Sequence, residues 1–306
     1  MAGERRRRRV GYLGPEGTFT EEALLASAAR EEIEPVAQAT IYDTVMALER
    51  GHVEWAIVPI ENSLDGSVSV TLDLLAEEHS GVEIVGETRL GVRHSLIAAE
   101  ALELGEIDTV FTHPQVPGQC ERFLHGELPH ARVLPTSSTA EAVRIVAGEG
   151  PRGRAALGTK LAAELYGGTV IREGVQDRED NETRFAWLAR RDTETGAPPL
   201  RDSPPDGRWW KTSLVFWGAG AGSPGWLVRC LDEFARRKIN LTKIESRPER
   251  ERLGHYMFFV DLEGSLEQSS VADGVEGLRA VCKHARVLGS YPADTKAPLH
   301  SGATDG

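Results

Sequence analysis

A chain of 306 residues with 40% hydrophobic content is long enough for two or three domains, each with its own core. Its 47 acidic against 35 basic residues, a net charge of −12, argue against a nucleic-acid or anionic-membrane binder. Three widely spaced cysteines, Cys120, Cys230 and Cys282, argue against a disulfide framework or a zinc site, and no apolar run approaches bilayer length, so the expected compartment is the cytoplasm. The basic run at residues 5–9 precedes no signal-type apolar segment and reads as part of a solvated tail over residues 1–9.

Residues 10–13 predict a short strand, followed by GPEGTFT and a helix from about residue 21. Gly14 and Gly17 let the backbone approach a ligand, and Thr18 and Thr20 can cap the helix; a plain capped loop is the alternative. A second helix over residues 42–49 leads to the buried strand WAIVPI, whose end carries Glu61, Asn62 and Ser63 in ENSLDGS. That end opens a helix over residues 70–77. Ligands in open α/β sheets collect beyond the carboxyl ends of strands, although Asn62 and Ser63 can also serve as caps. Extended segments over residues 82–85 and 89–98 read as the crossing into a second lobe, about residues 88–172.

There the pattern repeats, with strands at residues 109–112, 132–135 and 155–158. Each ends in hydroxyl or amide groups, among them Thr112, Gln119 and Ser138. His113, just before Pro114, reads as a structural donor more readily than as a base, whereas the Gln119 amide can hold a substrate without titrating.

NETRF, residues 181–185, lies where a charged loop enters an apolar strand, a common location for ligand contacts. Arg184 offers a planar fork for a carboxylate, and the Thr183 hydroxyl can lend a proton without carrying charge. Such a pair suits a small carboxylic acid that must lose a hydroxyl; a strand start with Thr183 in a turn and Arg184 solvated is the alternative. Pro198, Pro199, Pro204 and Pro205 among charges then mark a linker over residues 191–210. Residues 211–292 predict strands and helices in β-α-β-β-α-β order, the ferredoxin-like arrangement, and residues 293–306 a disordered tail.

As a set, GPEGTFT, PIENSLDGSV, THPQVPGQC, SSTAEAV, NETRF, NLTKIESRP and YMFFVDLEG resemble one family, prephenate dehydratase with a C-terminal ACT domain. The resemblance implies an α/β catalytic region over residues 10–190, with two lobes around a cleft like a periplasmic binding protein, and an α+β ferredoxin-like (βαββαβ) ACT domain that binds L-phenylalanine. It implies conversion of prephenate to phenylpyruvate with loss of carbon dioxide and water, with no metal or organic cofactor. Carried over by position, Thr183 is the essential threonine, Asn62 and Gln119 are cleft amides, and Thr112 stands where relatives often have serine. Arg184 meets a substrate carboxylate, with Phe185, Glu61, Ser63, Thr18 and Ser138 as further substrate contacts.

In the small domain, Gly225, Trp226 and Leu227 occupy the positions where relatives show Gly-Ala-Leu, while Asn240, Leu241, Thr242, Glu245, Ser246 and Arg247 belong to the strand that encloses the effector. Two orientations of Trp226 are open: outward, leaving the glycine turn intact for L-phenylalanine, or inward, into the space of the effector's ring. The expectation is retained inhibition, together with a homodimer or homotetramer. Two other functions fit the same architecture: an arogenate dehydratase, or a non-catalytic two-lobed amino-acid sensor.

Overall fold

The computed structural model describes residues 6–77, 80–148, 150–193, 197–201, 209–218, 223–249 and 254–294. Residues 1–5 of the N-terminal tail, parts of the proline-rich linker and residues 295–306 of the C-terminal tail lie outside these. The chain runs β1 (Arg8–Leu13), α1 (Phe19–Ser27), β2 (Ile33–Gln38), α2 (Ile41–Glu49), β3 (Trp55–Asn62), β4 (Gly66–Ser67), α3 (Ser69–Ala76), β5 (Val82–Gly91) and β6 (Ser95–Ala98). It continues through β7 (Thr109–Thr112), α4 (Val116–Gln119), α5 (Glu121–Glu127), β8 (Arg132–Pro135), α6 (Thr139–Ala147), β9 (Arg154–Gly158), α7 (Lys160–Tyr166), β10 (Thr169–Arg172) and β11 (Glu182–Arg190). The remainder is β12 (Trp210–Trp217), α8 (Trp226–Ala235), β13 (Leu241–Pro248), β14 (Tyr256–Glu263), α9 (Ser269–Val281) and β15 (His284–Pro292). Two compact units result, Met1–Val68 with Arg89–Phe185, and Ser69–Thr88 with Ala186–Gly306; β5 and β11 each change unit along their length.

In the first unit β1, β3 and β11 belong to a sheet of order β2-β1-β3-β11-β5, with β4 on β3, and a second sheet runs β10-β6-β9-β7-β8. β2 and β10, neither of which stands out in the sequence, are edge strands. β2 contains Pro35, which an edge tolerates because one side of the strand makes no ladder bonds. The apolar runs of β3 and β9 are buried, and helices are started by hydroxyls: Thr18 for α1, Ser138 for α6 and Thr159 for α7 each accept from a backbone N–H. Gly17, at φ +84, faces Ala162 so closely that an added Cβ would lie 2.8 Å from the Ala162 Cβ. Its carbonyl accepts from Thr159 Oγ1 at 2.6 Å. Gly17 therefore serves the contact of GPEGTFT with α7 rather than a ligand.

In the second unit β12, α8, β13, β14, α9 and β15 follow the β-α-β-β-α-β order, with an antiparallel sheet ordered β13-β14-β12-β15. α8 and α9 pack on one face through Phe234, Cys230, Val271, Val275 and Leu278 against Leu214, Phe216, Val260 and Leu262. Trp226 takes the inward orientation. Its ring is 6% exposed, tilts against Phe216 and Phe258 at 5.9 and 6.0 Å, and donates from Nε1 to the Val281 carbonyl at 3.1 Å. An indole buries far more area than the methyl it replaces, and its N–H has found a partner, so the ring belongs to the unit's own core.

Candidate functional site

β3 and β11 bring ENSLDGS and NETRF together: the Ser63 N–H donates to the Glu182 carbonyl at 2.9 Å, and Ser63 Oγ accepts from the Glu182 N–H at 3.0 Å. Thr183 then lies beside Asn62, whose Nδ2 donates to Thr183 Oγ1 at 2.9 Å and to Asn181 Oδ1 at 2.9 Å. Asn181 Nδ2 donates to Gln119 Oε1 at 3.2 Å, and Gln119 Nε2 donates to Asp65 Oδ2 at 3.0 Å. His94 Nε2 reaches the same Gln119 Oε1 at 3.0 Å.

The polarity of this chain is fixed at both ends. The Asp65 carboxylate can only accept, so the Gln119 nitrogen faces it and the Gln119 oxygen faces Asn181 and His94. At the other end Asn62 Oδ1 accepts from the backbone N–H groups of Leu64 and Asp65 at 2.9 and 3.0 Å, so its nitrogen faces Asn181 and Thr183. Both anchors demand the same orientation of every amide. Thr183 Oγ1 therefore receives a hydrogen bond, and its own proton is left to be donated.

Burial supports the arrangement, since Asn181 and His94 are each 1% exposed. Burial also pushes the His94 imidazole below its ordinary range, with the Gln119 hydrogen bond opposing. A neutral imidazole has one proton, and its partner accepts, so that proton sits on Nε2. Sequence reasoning missed Asn181, Asp65 and His94 as members of the site. The first two lie inside motifs that stand out in the sequence, whereas nothing local marks His94.

Other candidate side chains are engaged within the fold. Arg184 does not present its fork outward: its side chain is 8% exposed, and Nε and Nη2 lie 3.1 and 3.0 Å from Glu61 Oε2. Glu61 is thus the partner of Arg184. Phe185 is 1% exposed and alternates into the core. Thr112 is fully buried with its hydroxyl donating to the Leu157 carbonyl at 3.0 Å, so it ties β7 to β9. Thr18 donates to the Leu13 carbonyl at 2.8 Å and caps α1; Ser138 caps α6. His113 Nδ1 accepts from the Gln115 N–H at 3.4 Å, an acceptor where a structural donor was expected.

A cavity of about 510 Å³ adjoins the network at Gln119 and Asn181, and Arg122 and Arg178 bring cationic side chains to its lining. Arg178 is bound to Asp180, and Asp177 accepts from the Arg122 backbone N–H. Among the described residues no group of three or more His, Cys, Asp or Glu side chains is placed to hold a metal.

The family described as Prephenate dehydratase matches residues 10–193. The chain belongs to the prephenate dehydratase family. A prephenate dehydratase of Mycobacterium sp. (strain KMS) is 38% identical over 97% of this chain and 93% of its own length. That of Amycolatopsis methanolica is 38% identical over 92% of this chain and 88% of its own. The crystal structure of prephenate dehydratase in complex with L-Phe from Arthrobacter aurescens superposes with a TM-score of 0.82, at 34% identity, covering 95% of this chain and 92% of that one. In this member of the prephenate dehydratase family the hydroxyl of Thr183 is thus held by an amide chain running from Asp65 to Asn62.

In the second unit, Gly225, Trp226 and Leu227 line a pocket of about 300 Å³ with Val228, Tyr256 and Phe258. Asn240, Leu241, Thr242, Glu245 and Ser246 lie outside that lining, along or just before the edge strand β13. Arg247 is committed elsewhere, gripping Asp73 on α3 with two bonds of 2.8 and 2.9 Å and reaching Ser69 Oγ at 2.6 Å. A guanidinium so paired holds α3 to β13.

Proposed function

We propose that this chain converts prephenate to phenylpyruvate, carbon dioxide and water, with Thr183 as the donor to the departing hydroxyl. The observation that carries the reading is the Asn62 Nδ2 to Thr183 Oγ1 bond of 2.9 Å. An alcohol that accepts a hydrogen bond is polarised toward giving its own, so the site aims a neutral donor where charge develops. The bond from the ring to its carboxylate breaks, the electron pair enters the ring, the ring carbon–oxygen bond breaks, and the leaving hydroxide, held by the Thr183 hydrogen bond, becomes water with a proton that solvent supplies, leaving Thr183 unchanged. Aromatisation drives the step, and the protein's share is orientation and electrostatics.

The pairing of Arg184 with Glu61 supports this economy. A strong buried cation would stabilise the ring carboxylate in the ground state and slow its loss as carbon dioxide. Neutralised by Glu61, Arg184 leaves that carboxylate unpinned. The pyruvyl carboxylate is assigned to the cationic lining of the adjoining cavity, with Arg122 as the gripping residue.

Residues 211–292 are assigned to an ACT domain and residues 10–190 to the catalytic region, with L-phenylalanine as inhibitor and a homo-oligomer as the assembly. The Arthrobacter aurescens relative was solved with L-Phe bound, and the pocket at Gly225 retains open volume although the Trp226 ring has moved into the core. The test is absorbance of phenylpyruvate formed from prephenate, with and without L-phenylalanine, and in parallel the amount of phenylalanine formed from arogenate. Turnover of prephenate with inhibition supports the assignment; a preference for arogenate or no turnover overturns it.

A further inference from the structure

His94 lies at the far end of the amide chain from Thr183, in a segment that enters β6, and it touches no part of the motifs that mark the site in the sequence except Phe19 and Gln119. The fold fixes it tightly. Its N–H donates to Gln176 Oε1 at 3.0 Å, its carbonyl accepts from the Val175 N–H at 3.0 Å, and the Phe19 ring meets the imidazole edge-on at 5.3 Å. The ring therefore has one orientation, with Nε2 on Gln119.

The other nitrogen makes the case. Among the described residues Nδ1 is buried and has no hydrogen-bond partner. A buried lone pair without a donor costs free energy that an apolar side chain of similar size would avoid. Packing alone thus favours leucine at this position, and what the imidazole adds is a single donor, Nε2–H. That donor meets Gln119 Oε1, which also accepts from Asn181. Gln119 is consequently held from both ends, its oxygen by His94 and its nitrogen by Asp65.

We infer that His94 is a positioning residue for the dehydration, holding the Gln119 amide so that the chain through Asn181 and Asn62 keeps its nitrogen on Thr183 Oγ1. The inference rests on the reading of Thr183 as the donor. His94 touches no substrate; it acts through three intervening side chains. Without it, Gln119 loses one of its fixing bonds, its oxygen no longer stands firmly against Asn181, and the bond that Asn62 makes to Thr183 Oγ1 loosens.

The geometry selects the test. A glutamine at position 94 can place its amide nitrogen where Nε2 stands, whereas an asparagine reaches only as far as Nδ1. In the full-length enzyme, His94→Leu and His94→Asn are expected to lower kcat about tenfold, the equivalent of one lost hydrogen bond, with KM within about twofold. His94→Gln is expected to remain within about threefold of wild type. In an Asn62→Ala background, where the chain is already cut, His94→Asn should add little further loss.

Equal kcat for the Gln and Asn variants, or a full independent loss in the Asn62→Ala background, overturns the inference. Thermal melts accompany each variant, and should the leucine variant fail to fold, the Gln and Asn pair still decides. Thr183→Ala is measured alongside. If it is inactive while His94→Asn is unimpaired, only the His94 inference fails; if Thr183→Ala is fully active, the site reading fails and takes the inference with it.

Discussion

Asn62 Nδ2 stands 2.9 Å from Thr183 Oγ1, joining residues 121 positions apart in the chain, and its direction is that of a donor. Direction, more than distance, is what the site depends on. Asn62→Asp keeps the shape but can only accept from Thr183, turning the threonine proton inward. We expect kcat to fall by about 10²–10³, as when one oxyanion-type donor is removed, with the fold retained. Steady-state kinetics with circular dichroism checks this, and an Asn62→Asp enzyme close to wild type would show that Thr183 does not need the bond.

Glu61→Gln tests the neutralisation of Arg184. With the carboxylate gone, the 8%-exposed guanidinium loses the charge of Glu61 beside it and draws a substrate carboxylate more strongly. KM and kcat should fall together, the signature of a ground state made too stable. A raised KM with unchanged kcat would mean that Glu61 serves substrate binding directly.

How much of this was legible in the sequence depends on distance along the chain. The hydrophobic runs of β3, β7 and β9, the glycine and hydroxyl punctuation and the β-α-β-β-α-β order are local signals, and they carried most of the elements. β2 and β10 escaped because edge strands need neither an unbroken apolar run nor the absence of proline. Thr183 and Asn62 were readable as candidates that the fold brings together, but the pairing of Arg184 with Glu61 was not, because complementary charges in separate motifs do not announce which will meet. His94 and Asp65 acquire their roles only when Gln119 is brought to them by the fold. Trp226 left both orientations open until Phe216, Phe258 and the Val281 carbonyl were seen around its ring.

The pH dependence of stability follows from His94. Its folded-state pKa is lowered by burial, so below the ordinary imidazole value of 6.5 the unfolded chain binds a proton that the folded chain refuses. Stability attributable to this residue is thus unaffected above that value and is lost as pH falls beneath it. Melting temperatures of wild type and His94→Gln, scanned from about pH 8 to about pH 5, should converge at the acid end if wild type is the more stable at neutral pH. A constant difference across the range would contradict the shift.

In the second unit, Lys211 Nζ lies 2.8 and 3.0 Å from the two oxygens of Glu87, and both side chains are buried. Lys211→Met removes the buried cation from a carboxylate that also accepts from the Asp294 N–H, at a cost of about 3–5 kcal/mol. Denaturant unfolding measures it, and Lys211→Met with Glu87→Gln should recover part of the loss. A cost under about 1 kcal/mol, as at a solvated surface pair, would show that water reaches the pair.

The most direct measurement of the central claim is kcat for phenylpyruvate formation by Thr183→Ala and Thr183→Ser, each verified as folded. With Thr183 as the donor, kcat should fall by about 10²–10³ in the alanine variant and be substantially retained in the serine variant, which keeps a hydroxyl for Asn62 to address. A folded alanine variant turning over at the wild-type rate would contradict it.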